Sequence, residues 1–216
     1  MKKLFFPAAA AILSLCVTGC LFPEPYKEIV FYDLSTIRLK MPEDLPVLVD
    51  MFQSNESTRS QMTYLTGENQ VQVDSYNRWI QQPEYLITRY LQTAFSTNQP
   101  AIQESIGFRR SFINGIRISG SVFSMRIDLK RREALLGVSY TIRSVTDGQN
   151  ISTLTKSCVF TAKYHNEAPS DFAAAMSEAA EKLALQIQSE IHILQKQKGH
   201  DDNVKTTPPA KDKNAD

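Results

Sequence analysis

The chain has few cysteines, histidines and glycines, and it carries almost no net charge. Its 216 residues include three cysteines, three histidines and eight glycines, and the formal net charge is +1 at pH 7. Cys16 and Cys20 belong to an apolar N-terminal segment, so Cys158 alone remains for the folded part and no disulfide framework can form there. Stability must therefore come from side-chain packing. The near-neutral charge gives no electrostatic reason to propose a nucleic acid as partner.

The sequence also lacks the motifs of common catalytic and metal sites. His165, His192 and His200 form no pair with metal-ligand spacing, and no cysteine pair is available for zinc. No nucleophile elbow, Walker A or dinucleotide-binding glycine pattern occurs. Cys158 lies on the apolar side of an alternating strand pattern, which favours a buried, inert thiol over a nucleophile. We therefore expect no enzymatic activity, no cofactor and no metal ion.

The first twenty residues contain the parts of a secretory signal in the usual order. Lys2 and Lys3 precede an apolar run over residues 4–15, which is too short to remain as a membrane span. The following Val17-Thr18-Gly19-Cys20 resembles the lipobox of bacterial lipoproteins. That resemblance implies cleavage before Cys20 and acylation of its sulfur and of its new amine. The alternative is an ordinary secretory signal in which Cys20 has no special role.

Lipidation of Cys20 would tether the domain through its first residue. One acyl chain gives only marginal membrane binding, with about 0.8 kcal/mol per buried methylene, whereas several chains on one residue give lasting attachment. In Gram-negative lipoproteins, an aspartate directly after the cysteine favours retention at the inner membrane. Leu21 stands at that position here. The resemblance to such lipoproteins therefore implies the outer membrane, with the domain facing the periplasm.

Composition divides the chain into three parts. Residues 1–19 are the predicted signal peptide, and residues 20–195 form one domain whose apolar content is sufficient for a core. The hydrophobic fraction of the whole chain is 42%. Residues 196–216 are polar and contain Pro208 and Pro209, so they predict a disordered tail.

Several segments predict strands. Residues 28–34 and 45–52 are rich in β-branched and apolar side chains, and a glycine-containing loop over residues 67–69 predicts a hairpin. From residue 115 to residue 164 the sequence alternates with a period of two, which predicts an antiparallel meander with one packed face. Its phase slips near Gly120, where we expect a bulge. Asp147-Gly148 predicts the second turn of the meander.

Two segments have apolar residues at helical spacing. Residues 83–95 begin with Pro83, which suits a first helical turn, and carry Ile87, Leu91 and Phe95 at four-residue intervals. Residues 170–195 predict a longer helix whose apolar stripe is Phe172, Met176, Ala179, Leu183, Ile187, Ile191 and Leu194. The expected fold class is α+β, a mostly antiparallel sheet with both helices packed on one face.

Three consecutive basic residues, Lys130, Arg131 and Arg132, lie between two strand patterns. A solvated turn explains them, and the same charges make the turn a candidate contact for a partner protein or a lipid head group. Trp79, just ahead of Pro83, is expected to be a core residue.

The order and spacing of these features resemble the ABC-type transport auxiliary lipoproteins, the PqiC-like family. The resemblance covers roughly residues 20–195, and no single motif decides it. It is carried by Phe31-Tyr32-Asp33-Leu34, Arg59-Ser60-Gln61-Met62-Thr63-Tyr64, Tyr76-Asn77-Arg78-Trp79, the helix after Pro83, the meander, and Ala184-Leu185-Gln186-Ile187. The short tether and the polar tail depart from the family pattern.

The resemblance implies a non-catalytic component that works with a periplasmic MCE-domain protein and ABC transporter subunits to move lipids between membranes. It implies no catalytic residues, and Arg59, Gln61, Arg78 and Trp79 carry over only as structural pattern residues. Homo-oligomerisation stays open. The alternative is a structural or assembly lipoprotein that binds an outer-membrane protein or the cell wall and has no part in transport.

Overall fold

The computed structural model of the chain describes residues 26–42, 45–54, 59–96 and 114–205. Within these residues, one mixed sheet of eight strands is covered by two helices, which confirms the predicted α+β class. The strands are β1 (Val30–Tyr32), β2 (Val47–Val49), β3 (Gln53–Ser54), β4 (Gln61–Leu65), β5 (Val71–Trp79), β6 (Gly115–Asp128), β7 (Glu133–Thr146) and β8 (Gln149–Lys163). The helices are α1 (Pro83–Ala94) and α2 (Pro169–Lys205).

The strand order is β1-β5-β4-β6-β7-β8, so β1 and β8 form the two edges of the sheet. The long strands β6, β7 and β8 form the predicted antiparallel meander, and β4 and β5 form the predicted hairpin. The parallel pairs are short. In particular, β2, β3 and β4 follow one another along the same edge of β6, each parallel to it.

Residues 45–52, predicted as a single strand, form the short β2 followed by a break before β3. The break brings Phe52 into the core, where it is 1% exposed. Its backbone N–H donates to the buried Thr88 hydroxyl of α1 at 2.9 Å. In a continuous strand the backbone groups of this segment would bond only to β6, whereas the break also ties this edge of the sheet to α1.

The predicted turn at Asp147-Gly148 is confirmed. Both residues have positive φ, 50° for Asp147 and 75° for Gly148. Two successive positive φ values are typical of the tight turn whose twist matches two antiparallel strands, and aspartate and glycine adopt them readily. The turn sets the pairing of Thr146 with Gln149, from which the long β7–β8 ladder continues.

The predicted bulge near Gly120 is displaced. The β6–β7 pairing is regular through Gly120 and shifts between Val122 and Ser124, so Phe123 is the extra residue. Before the shift the even-numbered residues of β6 face the core, and after it Met125 and Ile127 do. The alternation predicts that Phe123 shares their face. The Phe123 side chain lies on the opposite face instead, where it covers Gly137. A β-carbon added at Gly137 would lie 2.3 Å from the Phe123 ring.

The core lies between the helices and one face of the sheet. All seven residues predicted as the apolar stripe of the long helix are buried, and Trp79 is 1% exposed, as expected for a core residue. The small Ala179, Ala180 and Ala184 are also buried, which lets the helix approach the sheet closely.

The long helix begins at Pro169 and continues to Lys205, beyond the predicted end at residue 195. The apolar stripe predicts only the part of the helix that packs against the sheet. The backbone hydrogen bonds of a helix can continue beyond that part without apolar side chains. Residues 206–216 of the predicted tail lie outside the described residues, and their disorder stays a prediction.

Candidate functional site

The predicted lipidation site, Cys20, lies outside the described residues, as does the signal peptide. Among the residues that the structure describes, no helix is long and apolar enough to cross a membrane. The anchor at Cys20 stays a prediction, and the functional features of the described residues are those of the folded domain.

Lys130, Arg131 and Arg132 form the exposed turn between β6 and β7. Asp128, mostly buried at the end of β6, accepts the Arg131 backbone N–H at 2.8 Å and lies 3.8 Å from its guanidinium. Arg132 adopts φ 55° and donates to the backbone carbonyl of His165. The turn therefore has a fixed backbone, while its three basic side chains remain at the surface.

A second layer of contacts joins this turn to the end of β8. Lys163 donates to the Arg131 carbonyl at 2.9 Å and pairs with Glu133 at 3.2 Å. The Arg132 guanidinium also lies over the Tyr164 ring, 5.8 Å from its centroid. The sequence predicted the turn and its charge, whereas the neighbouring Lys163 and His165 were brought to it by the meander.

Several of the residues that carry the family resemblance lie around an irregular part of the β4–β5 pairing. Between Gln61 and Thr63 the partner positions jump from Arg78 to Val73, so β5 loops out by several residues. Arg59, at the start of this hairpin, has φ 53° and is exposed. The buried Trp79 closes the loop, and its backbone N–H donates to the Ser60 carbonyl at 2.6 Å.

Asp74 holds that loop together. Its carboxylate accepts the N–H groups of Tyr76 and Asn77 at 2.8 and 2.9 Å, the Asn77 side-chain amide at 2.8 Å and the Tyr64 hydroxyl at 2.9 Å. Partial burial raises the pKa of Asp74, but the hydrogen bonds, led by those from Asn77, outweigh it, so the pKa lies below its usual value. The carboxylate is thus a structural acceptor and has no proton to exchange near neutral pH.

A buried polar cluster that the sequence did not reveal links α2 to the edge strand β8. Glu190 is 4% exposed and accepts the Tyr140 hydroxyl at 2.9 Å, the Lys156 ammonium at 2.7 Å and the Gln186 amide at 3.1 Å. The available signal was that Glu190 interrupts the apolar stripe of α2 between Ile187 and Ile191. Burial, and then the hydrogen bond to Glu190, raise the pKa of Tyr140 far above its usual value.

Cys158 borders this cluster. It faces the helix side of β8 as predicted, but it is half-buried and not fully buried. The reason is that β8 is an edge strand, so no further strand among the described residues covers its outer side. Its sulfur accepts a weak hydrogen bond from the Gln186 amide at 3.7 Å. The thiol is thus partly buried against the core and beside Gln186, and its inert, structural role stays a prediction.

The described residues contain no group of three or more histidine, cysteine, aspartate or glutamate side chains that could hold a metal ion. The arrangement offers an exposed basic turn, two sheet edges and an open sheet face. Each of these surface features can contact a partner molecule: the turn through its charge, and the edges through unpaired backbone groups.

The chain is similar to one protein family and to known folds. A family model described as "ABC-type transport auxiliary lipoprotein component" matches residues 57–188, more than half of the chain. A solved structure titled only as an uncharacterized protein is 11% identical, with a TM-score of 0.58, over 76% of this chain and 99% of its own. A Xanthomonas campestris protein, XCC0632, labelled DUF330, is 12% identical, with a TM-score of 0.50, over 82% of this chain and 94% of its own. No curated protein sequence matches significantly. At these identities the two structures show a shared fold.

Proposed function

The chain belongs to the family of ABC-type transport auxiliary lipoprotein components, and from that membership we propose that it is a non-catalytic, lipid-anchored part of a system that moves lipids between the inner and outer membranes. The family match is the observation that carries this proposal. In it, the domain is anchored through Cys20 at the outer membrane and faces the periplasm.

The partners in this proposal are a periplasmic MCE-domain protein and the subunits of the ABC transporter. The domain docks the distal end of the periplasmic assembly at the outer membrane. The architecture supports a docking role because the apolar faces of both helices are used against the sheet, while the basic turn, the strand edges and the open sheet face remain for contacts.

The anchor is tested by replacing Cys20 with serine in the full chain expressed in a Gram-negative host. We expect the wild-type protein to incorporate labelled palmitate and the Cys20→Ser variant to incorporate none, because serine offers no thiol for acylation. A Cys158→Ser variant is the matched control and should be labelled like the wild type. Undiminished labelling of Cys20→Ser would refute this anchor.

The partner is tested by cross-linking in intact cells, followed by purification of the tagged full-length protein and identification of the proteins bound to it. We expect an MCE-domain protein and transporter subunits to be enriched over a control purification with an unrelated outer-membrane lipoprotein. Deletion of the gene should also reproduce the envelope defect of a transporter deletion. Recovery of only an outer-membrane protein or cell-wall fragments would support the structural alternative.

A further inference from the structure

The direction in which the chain enters the domain is set by the pairing of β1. Strand β1 is parallel to β5, with Val30 opposite Asn77 and Tyr32 opposite Trp79. Strand β5 starts next to Leu65, and Leu65 pairs with Asp128, directly before the basic turn. Within β1 the chain therefore runs away from the end of the sheet that carries the basic turn, and residues 26–29 lie towards that end.

The length of chain between the predicted anchor and the domain limits where the membrane can lie. Cys20 is six residues before Tyr26, the first described residue, and six residues span at most about 20 Å. Three strand spacings separate β1 from β6, which is about 14 Å. An anchor at Cys20 and the basic turn can therefore reach the same bilayer surface.

The surface at this end has the chemistry of a membrane-contacting region. Lys130, Arg131 and Arg132 form the chain's only run of three basic residues, and all three are exposed. Near the chain entry, Tyr26 is 88% and Tyr76 43% exposed, and tyrosine suits the boundary between water and lipid.

Acidic residues at the same end do not cancel this attraction. Asp128 and Glu133 are mostly buried behind the turn and face Arg131 and Lys163. Glu28, Glu68 and Glu167 are exposed, but Glu28 directly follows Lys27 in the chain, and the other two lie on the loops to either side of the turn. The attraction therefore comes from the turn itself and not from the net charge of the whole end.

We propose that the end of the domain formed by the basic turn and the chain entry rests on anionic phospholipid head groups. This orientation rests on the proposed anchoring at Cys20. It directs the opposite end, with the Asp147-Gly148 turn and the later part of α2, away from the bilayer. That opposite end is then the one presented to a periplasmic partner.

The test uses the full-length lipidated protein in nanodiscs of zwitterionic lipid alone or of zwitterionic lipid mixed with phosphatidylglycerol, and follows amide hydrogen exchange. Each basic side chain close to an anionic surface contributes about a fivefold preference. Three such side chains together favour contact by about a hundredfold, so we expect exchange over residues 129–133 to be slower by about tenfold or more on the anionic discs, and exchange at the Asp147-Gly148 turn to be the same on both.

Two sets of variants separate local charge from total charge. The triple variant K130Q/R131Q/R132Q should lose the slower exchange, whereas R38Q/K40Q/K196Q, which removes the same charge elsewhere on the surface, should keep it. The single variant K130E, at the tip of the turn, keeps the Arg131 and Arg132 contacts and should reduce the effect without altering the fold. Unchanged exchange elsewhere in the domain verifies folding.

Equal exchange over residues 129–133 on both kinds of disc, or slower exchange at the Asp147-Gly148 turn, would overturn the orientation. Loss of co-purifying protein from K130Q/R131Q/R132Q without any lipid dependence would assign the turn to a partner protein and also overturn it. Failure of the wild-type chain to enter nanodiscs would instead refute the anchoring on which the proposed function depends.

Discussion

Replacement of Gly120 by alanine is expected to lower the free energy of unfolding by about 3 kcal/mol, because the added methyl group overfills a packed core. A β-carbon at this position would lie 2.4 Å from the Ser139 carbonyl oxygen and 2.6 Å from the Phe52 ring. The carbonyl belongs to the β6–β7 ladder, and Phe52 is fixed by its hydrogen bond to Thr88. Neither neighbour can move without breaking other contacts. Urea unfolding of both proteins measures the difference.

Two other glycines provide graded controls for this prediction. Gly67 has its nearest neighbour at 3.7 Å, so Gly67→Ala should change stability by no more than about 0.5 kcal/mol. Gly137→Ala meets the Phe123 ring, but Phe123 is 39% exposed and can turn outward, so its effect should be intermediate. If Gly120→Ala were as stable as Gly67→Ala, the close packing of Phe52 over β6 would be wrong.

Replacement of Glu190 by leucine is expected to destabilise the domain by about 2–3 kcal/mol, because it leaves the Tyr140 hydroxyl buried without an acceptor. Tyr140 is 1% exposed and donates to Glu190 at 2.9 Å. Glu190→Gln keeps an acceptor for the Tyr140 hydroxyl and should lower the free energy of unfolding less than Glu190→Leu does. Lys156 adds little to the difference, since its side chain is 43% exposed and can be rehydrated.

A double-mutant cycle identifies the source of that loss. Tyr140→Phe combined with Glu190→Leu removes both partners, so the double variant should be more stable than the sum of the single effects predicts. Glu178→Ala, which breaks the exposed Glu178–Lys182 pair on the same helix, is the control and should have an effect below about 0.5 kcal/mol. Simple additivity of the two buried changes would contradict the hydrogen bond.

The same cluster predicts sensitivity to high pH. Because the pKa of Tyr140 is raised in the folded state by burial and by Glu190, the folded chain keeps this proton when the unfolded chain loses it. Its contribution to stability is therefore complete below the unfolded tyrosine pKa of about 10 and is lost as the pH rises above it. Burial also raises the pKa of Tyr90, to about 12. Since both proteins retain Tyr90, urea unfolding at several pH values above about 10 should show a less steep fall in stability for Tyr140→Phe than for the wild type.

Local patterns in the sequence determined most of the secondary structure and the character of the site. The period of two across residues 115–164 defined the meander, and Asp147-Gly148 defined one of its turns, because strand alternation and turn conformation depend on neighbouring residues. The stripe from Phe172 to Leu194 identified the packed face of α2 for the same reason. The run Lys130-Arg131-Arg132 was found as an exposed basic turn, and the lipobox at Cys20 is a purely local prediction.

Only the tertiary structure decided the features that depend on residues far apart in the chain. The alternation predicts a bulge near Gly120, but the bulge lies at Phe123. Gly120 instead leaves room for the ring of Phe52, which comes from an edge segment much earlier in the chain. Glu190 lies on the apolar face of α2, and only the folded sheet brings its partners Tyr140 of β7 and Lys156 of β8 to it. The parallel pairing of β1 with β5 sets the end of the domain where the chain enters. No local sequence pattern predicts this pairing, because it joins strands that are far apart in the chain and meet only in the assembled sheet.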